Sequence, residues 1–273
     1  MKRGIPIVLL SFLLFGCEDV IEVSLPTAEP KLVIDAIFNT YINETPSRLE
    51  GSVKLSFTSD FLEGQISPAN AAEVYLTNTI SNTQYTFTEI GNSGQYTPEN
   101  SSFIPIFDTT YELTINYNGE TYQGNAQLIP SVPINSIVQG DGDLFGGNET
   151  EIIVEFTDDS SRTDFYLFDL DFDLFLTTED EFYQGETFAF SYFYDELEGN
   201  EREIDVKLIG VSEQFYNYMN IIIEQSGQSG GGPFQTTPST VRGNMINKTN
   251  PDNYPLGYFS LSETNNLSVT ITE

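Results

Sequence analysis

Three aspartates at alternate positions are the side chains whose spacing could do chemistry in this sequence. Asp169, Asp171 and Asp173 are separated by single apolar residues. On a β-strand their side chains would share one face at intervals of about 6.6 to 6.8 Å. Carboxylate oxygens are the ligands that Ca²⁺ prefers, but they must converge within about 2.6 Å of the ion, which a straight strand does not allow. We therefore predict a solvated strand face and keep these aspartates only as weak candidates for a Ca²⁺ site.

Composition excludes most other catalytic chemistry. The 273 residues include no histidine, one cysteine and 41 acidic side chains against 10 basic ones. The lack of histidine excludes Ser-His-Asp hydrolysis and nearly all zinc or copper sites. Two carboxylates could hydrolyse a glycoside, but among 41 acidic residues such pairs arise by chance. A net charge of −31 repels nucleic acid. We predict a protein that is not an enzyme, has no cofactor and binds no nucleic acid.

The single cysteine, Cys17, could carry a covalent modification. Lys2 and Arg3 precede an apolar run at residues 5–15, which is too short to span a bilayer and is typical of a secretory signal peptide. The segment Leu14-Phe15-Gly16-Cys17 resembles a bacterial lipobox, which implies cleavage before Cys17 and its acylation with chains such as palmitate. Two or three chains anchor a protein stably. The alternative is an ordinary signal peptide followed by a chance cysteine.

The sequence divides into a leader, a tether and a first domain that would position any site. We predict a signal peptide at 1–16, a lipidated tether at 17–30 and a β-domain at 31–129. Short alternating segments with turn residues between them favour an immunoglobulin-like or transthyretin-like β-sandwich there. The clearest local signal is Asn118-Gly119, the preferred two-residue hairpin turn, between apolar-alternating segments on either side.

Two prolines in the segment Ile129–Ile134 mark the predicted end of this domain. The remainder, 130–273, is predicted to be a second, acidic, β-rich domain, with strands that include 164–176 and 187–194. A helix near 212–225 is indicated by apolar residues at i, i+3, i+4 and i+7. The aromatic residues on one face of 187–194 are expected to lie in the core unless they are exposed, in which case they would form a binding surface.

Short segments spread along the chain form an ordered series. They are Cys17-Glu18-Asp19 before Lys31-Leu32-Val33-Ile34, Gly94-Gln95-Tyr96, Thr110-Tyr111-Glu112-Leu113, Gly119-Glu120-Thr121-Tyr122, Phe156-Thr157-Asp158-Asp159 with Phe165-Tyr166-Leu167, Val241-Arg242-Gly243-Asn244-Met245 and Leu256-Gly257-Tyr258-Phe259. In order and spacing, over the whole chain after the signal peptide, the series resembles a known family, the domain of unknown function 4249.

This resemblance implies a lipoprotein of Bacteroidota whose gene lies near TonB-dependent outer-membrane receptors. Glu18 and Asp19 also resemble the surface-export signal of such lipoproteins. We expect a non-enzymatic, surface-exposed outer-membrane lipoprotein that acts as an accessory, capturing or lid-like, of a TonB-dependent transporter, with an unknown ligand. The alternatives are a structural or assembly subunit of an outer-membrane complex and, ranked low, a carboxylate-based glycan hydrolase.

Overall fold

A computed structural model describes residues 29–59, 65–99, 103–142, 149–194, 201–227 and 239–272. The predicted mainly-β class is confirmed in these ranges. They form strands β1 (Leu32–Tyr41), β2 (Arg48–Phe57), β3 (Glu73–Asn78), β4 (Gln84–Glu89), β5 (Gln95–Pro98), β6 (Thr110–Tyr117), β7 (Glu120–Ile129), β8 (Ile134–Gln139), β9 (Thr150–Thr157), β10 (Phe165–Asp169), β11 (Phe175–Glu179), β12 (Thr187–Tyr194), β13 (Glu201–Val211), β14 (Ile246–Asn247) and β15 (Leu256–Thr272), and the helix α1 (Glu213–Ser226).

Eight strands form a circuit that closes on itself. Each strand pairs with the next in the order β1, β2, β5, β4, β3, β6, β7 and β15, and β15 returns to β1. Buried and more exposed side chains alternate along the strands, because one face of each strand lies inside the circuit. In β1, for example, Ile34, Ala36 and Phe38 are fully buried. We call this unit the strand circuit. That it has an immunoglobulin-like or transthyretin-like form stays a prediction.

Aromatic side chains fill the centre of the strand circuit. The Phe38 ring contacts Phe87, Phe103 and Phe259 edge-on, with centroids 5.8, 6.3 and 6.4 Å apart. Edge-to-face pairs of this kind stabilise by about 0.5–1.5 kcal/mol beyond the area that they bury. Phe259 comes from β15, so the core of the circuit depends on a strand near the end of the chain.

The remaining strands form layers. The sheet β8–β9–β12 packs across a second core against β10, β13 and the later half of β15. Helix α1 covers the opposite face of β10 and β13 through Phe215 and Met219. Among helices of the described residues, none is both long and apolar enough to cross a membrane.

Two elements that the sequence predicts from neighbouring residues, a hairpin and a helix, are confirmed. Asn118 and Gly119 have positive φ angles of 49° and 80° and join β6 to β7 as the predicted hairpin. Helix α1 confirms the predicted helix. Ser212 caps it by accepting a hydrogen bond from the Phe215 amide at 3.2 Å, and Gly227, at φ 83°, ends it.

One strand, β15, serves both halves of the chain. It pairs in parallel with β1 from Leu256 to Thr264 and antiparallel with β13 from Thr264 to Thr272. The predicted boundary between residues 129 and 130 falls between β7 and β8, and the two halves keep separate apolar cores while they share β15. The division into two domains stays a prediction.

Candidate functional site

The strand circuit closes at an incomplete seam. Strands β7 and β15 pair only at Leu128–Leu261 and Ile129–Ser262. The side chain of Asn244 bridges the gap beyond these pairs. Its Nδ2 donates to the Phe259 carbonyl at 2.7 Å and to the Asn125 carbonyl at 3.3 Å, and its Oδ1 accepts from the Phe259 amide at 2.8 Å. The seam is therefore closed by two ladder pairs and, beyond them, by one amide side chain.

Close backbone contacts hold Asn244 in this position. A Cβ atom on Gly243 would lie 1.6 Å from the Gly257 carbonyl oxygen, so only glycine lets the two segments approach. On the other side, the Met245 side chain packs into the circuit core beside Gly124. Strand β14 then pairs with β7. These contacts explain why the resemblance-bearing segments 241–245 and 256–259 lie together.

A crevice opens on the outer face of the seam. Its volume is about 340 Å³, and a neighbouring cavity of about 370 Å³ shares Asn125, Gln214 and Asn244 with it. We call the two together the seam crevice. The lining of the first cavity comes from β6, β7, β15, the beginning of α1 and the segment before β14: Thr110, Asn125, Ala126, Gln127, Ile129, Ser212, Gln214, Asn244, Tyr258, Phe259, Ser260, Leu261 and Ser262.

The polar lining of the first cavity is uncharged. Its hydroxyl and amide groups can both donate and accept hydrogen bonds, and no carboxylate, lysine or arginine is among the described lining residues. Burial raises the pKa of Tyr258, partly offset by a hydrogen bond with Ser212, so this hydroxyl stays protonated. Charged residues, Glu112 and Lys248, lie only in the neighbouring cavity.

Two hydroxyl groups in this lining have no hydrogen-bond partner. Ser260 is 7% exposed and Ser262 is 1% exposed. Neither Oγ atom has a partner among the described residues. Thr264, two residues farther along the same face of β15 and outside this lining, is also buried with an unpartnered hydroxyl, so the missing partners are a feature of this strand face and not of the crevice alone.

Helix α1 supplies the wall of the crevice opposite β7. The Tyr258 ring packs against Phe215 and Tyr218, with centroids 4.7 and 5.0 Å apart. This contact fixes the start of the helix, where Ser212 and Gln214 line the cavity. The crevice thus lies where the strand circuit meets the second half of the chain.

The predicted lipidation and export residues, Cys17, Glu18 and Asp19, lie outside the described residues. Their roles stay predictions.

The prediction that residues 164–176 form one strand is wrong. Strand β10 ends at Asp169, and the chain reverses before β11. Asp171, Phe172 and Asp173 all have positive φ angles, of 66°, 52° and 58°, and the Leu170 amide donates to the Leu174 carbonyl at 2.9 Å. The alternating pattern of this segment is thus the two arms and the tip of a hairpin, so the three aspartates do not share a strand face.

This hairpin and β13 line a cavity of about 360 Å³. Lys207 lies 3.1 Å from an Asp169 carboxylate oxygen. The two Asp171 oxygens accept from the amides of Phe172 at 2.9 Å and Asp205 at 3.4 Å. A lysine and two main-chain amides thus already balance these carboxylates. No group of three or more metal-capable side chains is placed to hold an ion within the described ranges.

Aromatic residues of β12 extend from the core to the surface. Tyr194 is buried, whereas Phe188 is 36% exposed. Phe188 stacks on Tyr183 at 4.7 Å, and Phe190 packs on Phe168 at 4.9 Å. These contacts place the aromatic residues of β12 at the edge of the second core.

The sequence analysis did not identify a buried network around Tyr166. Asp158 and Asp164 both accept from the Tyr166 hydroxyl, at 2.6 and 2.9 Å. The neighbouring Asp159 instead forms a turn, since its Oδ1 accepts from the Ser161 amide at 2.9 Å.

Arg162 completes this network. It donates to both oxygens of Asp164 at 2.8 Å. Burial raises the pKa of Asp164, and the Arg162 guanidinium partly offsets the shift. Because these carboxylates are nearly inaccessible and already bonded, the network is structural and not a hydrolase pair.

A comparison with models of protein families gives a match. The model of a family described as a domain of unknown function, DUF4249, matches residues 18–267. No curated protein matches the chain.

Proposed function

This chain belongs to the DUF4249 family, and from that premise we propose that it is a non-enzymatic, surface-exposed lipoprotein of the outer membrane that serves a TonB-dependent transporter as an accessory. The observation that carries the proposal is the seam crevice. The uncharged polar lining of its first cavity can hold a ligand by hydrogen bonds. General acid–base catalysis needs a group that exchanges a proton near neutral pH, and the described lining of the first cavity offers only Tyr258, whose pKa is raised.

The anchor part of the proposal is supported by the sequence. Cys17 is the only cysteine and follows the apolar run after a single glycine, Gly16. After cleavage and acylation the segment 17–30 would tether β1 to the membrane surface. A captured ligand could then be handed to a receptor in the same membrane, which is the accessory role that the family resemblance implies.

Affinity purification tests the partnership. The tagged full-length protein is extracted from membranes of the source bacterium with mild detergent, and the co-purifying proteins are identified by mass spectrometry. A TonB-dependent receptor that is absent from an untagged control supports the proposal. Recovery of an assembly machine instead supports the alternative of a structural subunit, and recovery of neither contradicts the accessory role.

Lipid labelling and protease access test the location. The wild-type protein should incorporate labelled palmitate and be degraded by protease added to intact cells, whereas Cys17→Ser should not be labelled. Replacing both Glu18 and Asp19 with alanine should reduce protease access. Labelling of the Cys17→Ser variant, or full protection of the wild type in intact cells, would contradict the anchor or the surface location, respectively.

A further inference from the structure

Two opposite charges line the neighbouring cavity of the seam crevice without pairing with each other. Glu112 of β6 and Lys248, which directly follows β14, both line this space of about 370 Å³. Neither residue takes part in an ion pair within the described part of the chain. The Glu112 carboxylate accepts instead from the neutral side chain of Gln123, at 3.2 Å. A cavity with one unpaired charge of each sign is complementary to a ligand that carries both.

The sheet register separates the two charges along the cavity. Gln123 of β7 pairs with Thr114 on one side and with Ile246 on the other. Glu112 lies two residues before Thr114, and Lys248 lies two residues after Ile246, in strands that run in the same direction. At about 3.3 Å per residue and 4.8 Å per strand, the Cα atoms of the two charged residues are about 16 Å apart. Because paired and alternate residues share a face, both side chains leave the outer face of the circuit.

Uncharged groups lie between the two charges. Asn125 and Gln214 line the cavity, and neither side chain makes a hydrogen bond to another of the described residues. Each amide offers both a donor and an acceptor, which is what a peptide group requires. Ile246, 55% exposed, adds an apolar contact. The lining thus suits a ligand with peptide groups in its middle and a charge at each end.

The two charges narrow the class of ligand. An ion of one sign would meet a like charge, and a neutral sugar would remove water from both charges without pairing either of them. A dipeptide or tripeptide carries both charges and spans at most about 7–11 Å, which leaves room for the Glu112 and Lys248 side chains to reach its ends. The cavity volume falls within the roughly 300–1,000 Å³ of small-molecule sites.

We propose that the neighbouring cavity binds a dipeptide or tripeptide with free termini, whose ammonium group pairs with Glu112 and whose carboxylate pairs with Lys248. This inference rests on the capture role proposed above and names the class of ligand that is captured.

Calorimetric titration tests the inference. The lipidated protein, in a neutral detergent at pH 7, is titrated with trialanine, N-acetylated trialanine, trialanine amide and free alanine. We expect trialanine to bind. The two blocked peptides each lose one charge pair and alanine is too short to reach both residues, so all three should bind at least about tenfold more weakly.

Charge variants assign each end of the peptide. Glu112→Gln, which keeps an acceptor for Gln123, should weaken trialanine binding about tenfold but leave the affinity for the N-acetylated peptide unchanged. Lys248→Gln should do the same for trialanine and the amidated peptide. Glu181→Gln and Lys54→Gln, at exposed positions outside the seam crevice, are the matched controls and should bind as the wild type does. Thermal melting checks that all four variants are folded.

Three results would overturn the inference. They are no binding of trialanine, equal affinity for trialanine and either blocked peptide or alanine, and equal affinity of the wild type and either cavity variant for trialanine. A transporter that still co-purifies in any of these cases would leave the accessory role standing, so failures of the two proposals are distinguishable.

Discussion

The side chain of Asn244 hydrogen-bonds to the main chain of Phe259 in both directions, as a neighbouring strand would. The two bonds measure 2.7 and 2.8 Å. A third bond, from the same amide to Asn125, ties β15 to β7. One residue thus connects both edges of the seam and forms part of the lining of the crevice.

Replacing Asn244 with alanine should destabilise the protein by about 2–3 kcal/mol, because the amide and carbonyl of Phe259 lose their partners. Chemical denaturation followed by circular dichroism measures the change. Asn92→Ala, in an exposed turn of the same circuit, is the matched control and should change stability by less than about 0.5 kcal/mol. Equal effects of the two changes would show that the seam does not depend on Asn244.

Gly257→Ala should destabilise by about 3 kcal/mol or more, or prevent folding, because two penalties combine. The residue has a φ angle of 92°, and a Cβ would lie 2.0 Å from the Ile34 carbonyl oxygen. Gly91→Ala, at φ 62° with open space around it, isolates the first penalty and should cost about 1 kcal/mol. Thermal melting of both variants compares them, and a Gly257→Ala protein as stable as Gly91→Ala would refute the close approach of β1 and β15.

Tyr166→Phe should cost about 2–3 kcal/mol, since it removes the hydroxyl that bridges the buried carboxylates of Asp158 and Asp164. The expected loss is larger than for Tyr85→Phe, a half-buried tyrosine whose hydroxyl is not part of this network. Urea denaturation of the two variants gives the comparison. A loss for Tyr166→Phe no greater than for the control would exclude a structural role of the network.

Stability should depend on pH through Glu263. Burial raises the pKa of this carboxyl above its ordinary 4.5, against the opposing effects of the Ser131 amide and Arg162. The folded state therefore binds the proton more tightly, and stability falls as pH rises from the unfolded pKa through the raised folded pKa.

Glu263→Gln should remove the loss of stability that ionisation of this buried carboxyl causes. The variant should be more stable than the wild type at pH 7, with the difference vanishing below about pH 4. Unfolding free energies between pH 4 and 8 measure it, with the exposed Glu181→Gln as control. A difference between variant and wild type that does not change with pH would contradict the shift.

Calcium should not stabilise the protein specifically. Lys207 and two main-chain amides already balance the carboxylates of Asp169 and Asp171. Millimolar Ca²⁺ and Mg²⁺ should therefore raise the melting temperature slightly and equally by screening a net charge of −31. A rise of several degrees with Ca²⁺ alone, abolished by Asp171→Asn, would reveal a site at this hairpin.

The sequence predicts the local elements better than the site. The Asn118-Gly119 hairpin and the capped helix α1 depend on neighbouring residues, so their signals lie within a short window. The alternation of aspartates with apolar residues at 168–174 is compatible with one long strand and with a hairpin, so the sequence does not distinguish them. The hairpin also requires a positive φ at Phe172, which a phenylalanine rarely adopts.

The seam crevice could not be derived from the sequence. Asn244 lies in a segment that carries the family resemblance, but its partner Phe259 is known only from the fold. Ser260 and Ser262 alternate with apolar residues and therefore look like an ordinary solvated strand face. Only the folded structure shows that these hydroxyls are buried.

The double use of β15 has a consequence for biosynthesis. The Asn43 side chain hydrogen-bonds the Asn266 carbonyl across 223 positions of sequence, and β1 has no parallel neighbour until β15 has been made. Both apolar cores therefore stay unfinished until β15 has been synthesised. Contacts this distant slow folding, so a chain of this design should complete its two cores more slowly than one whose domains close in turn.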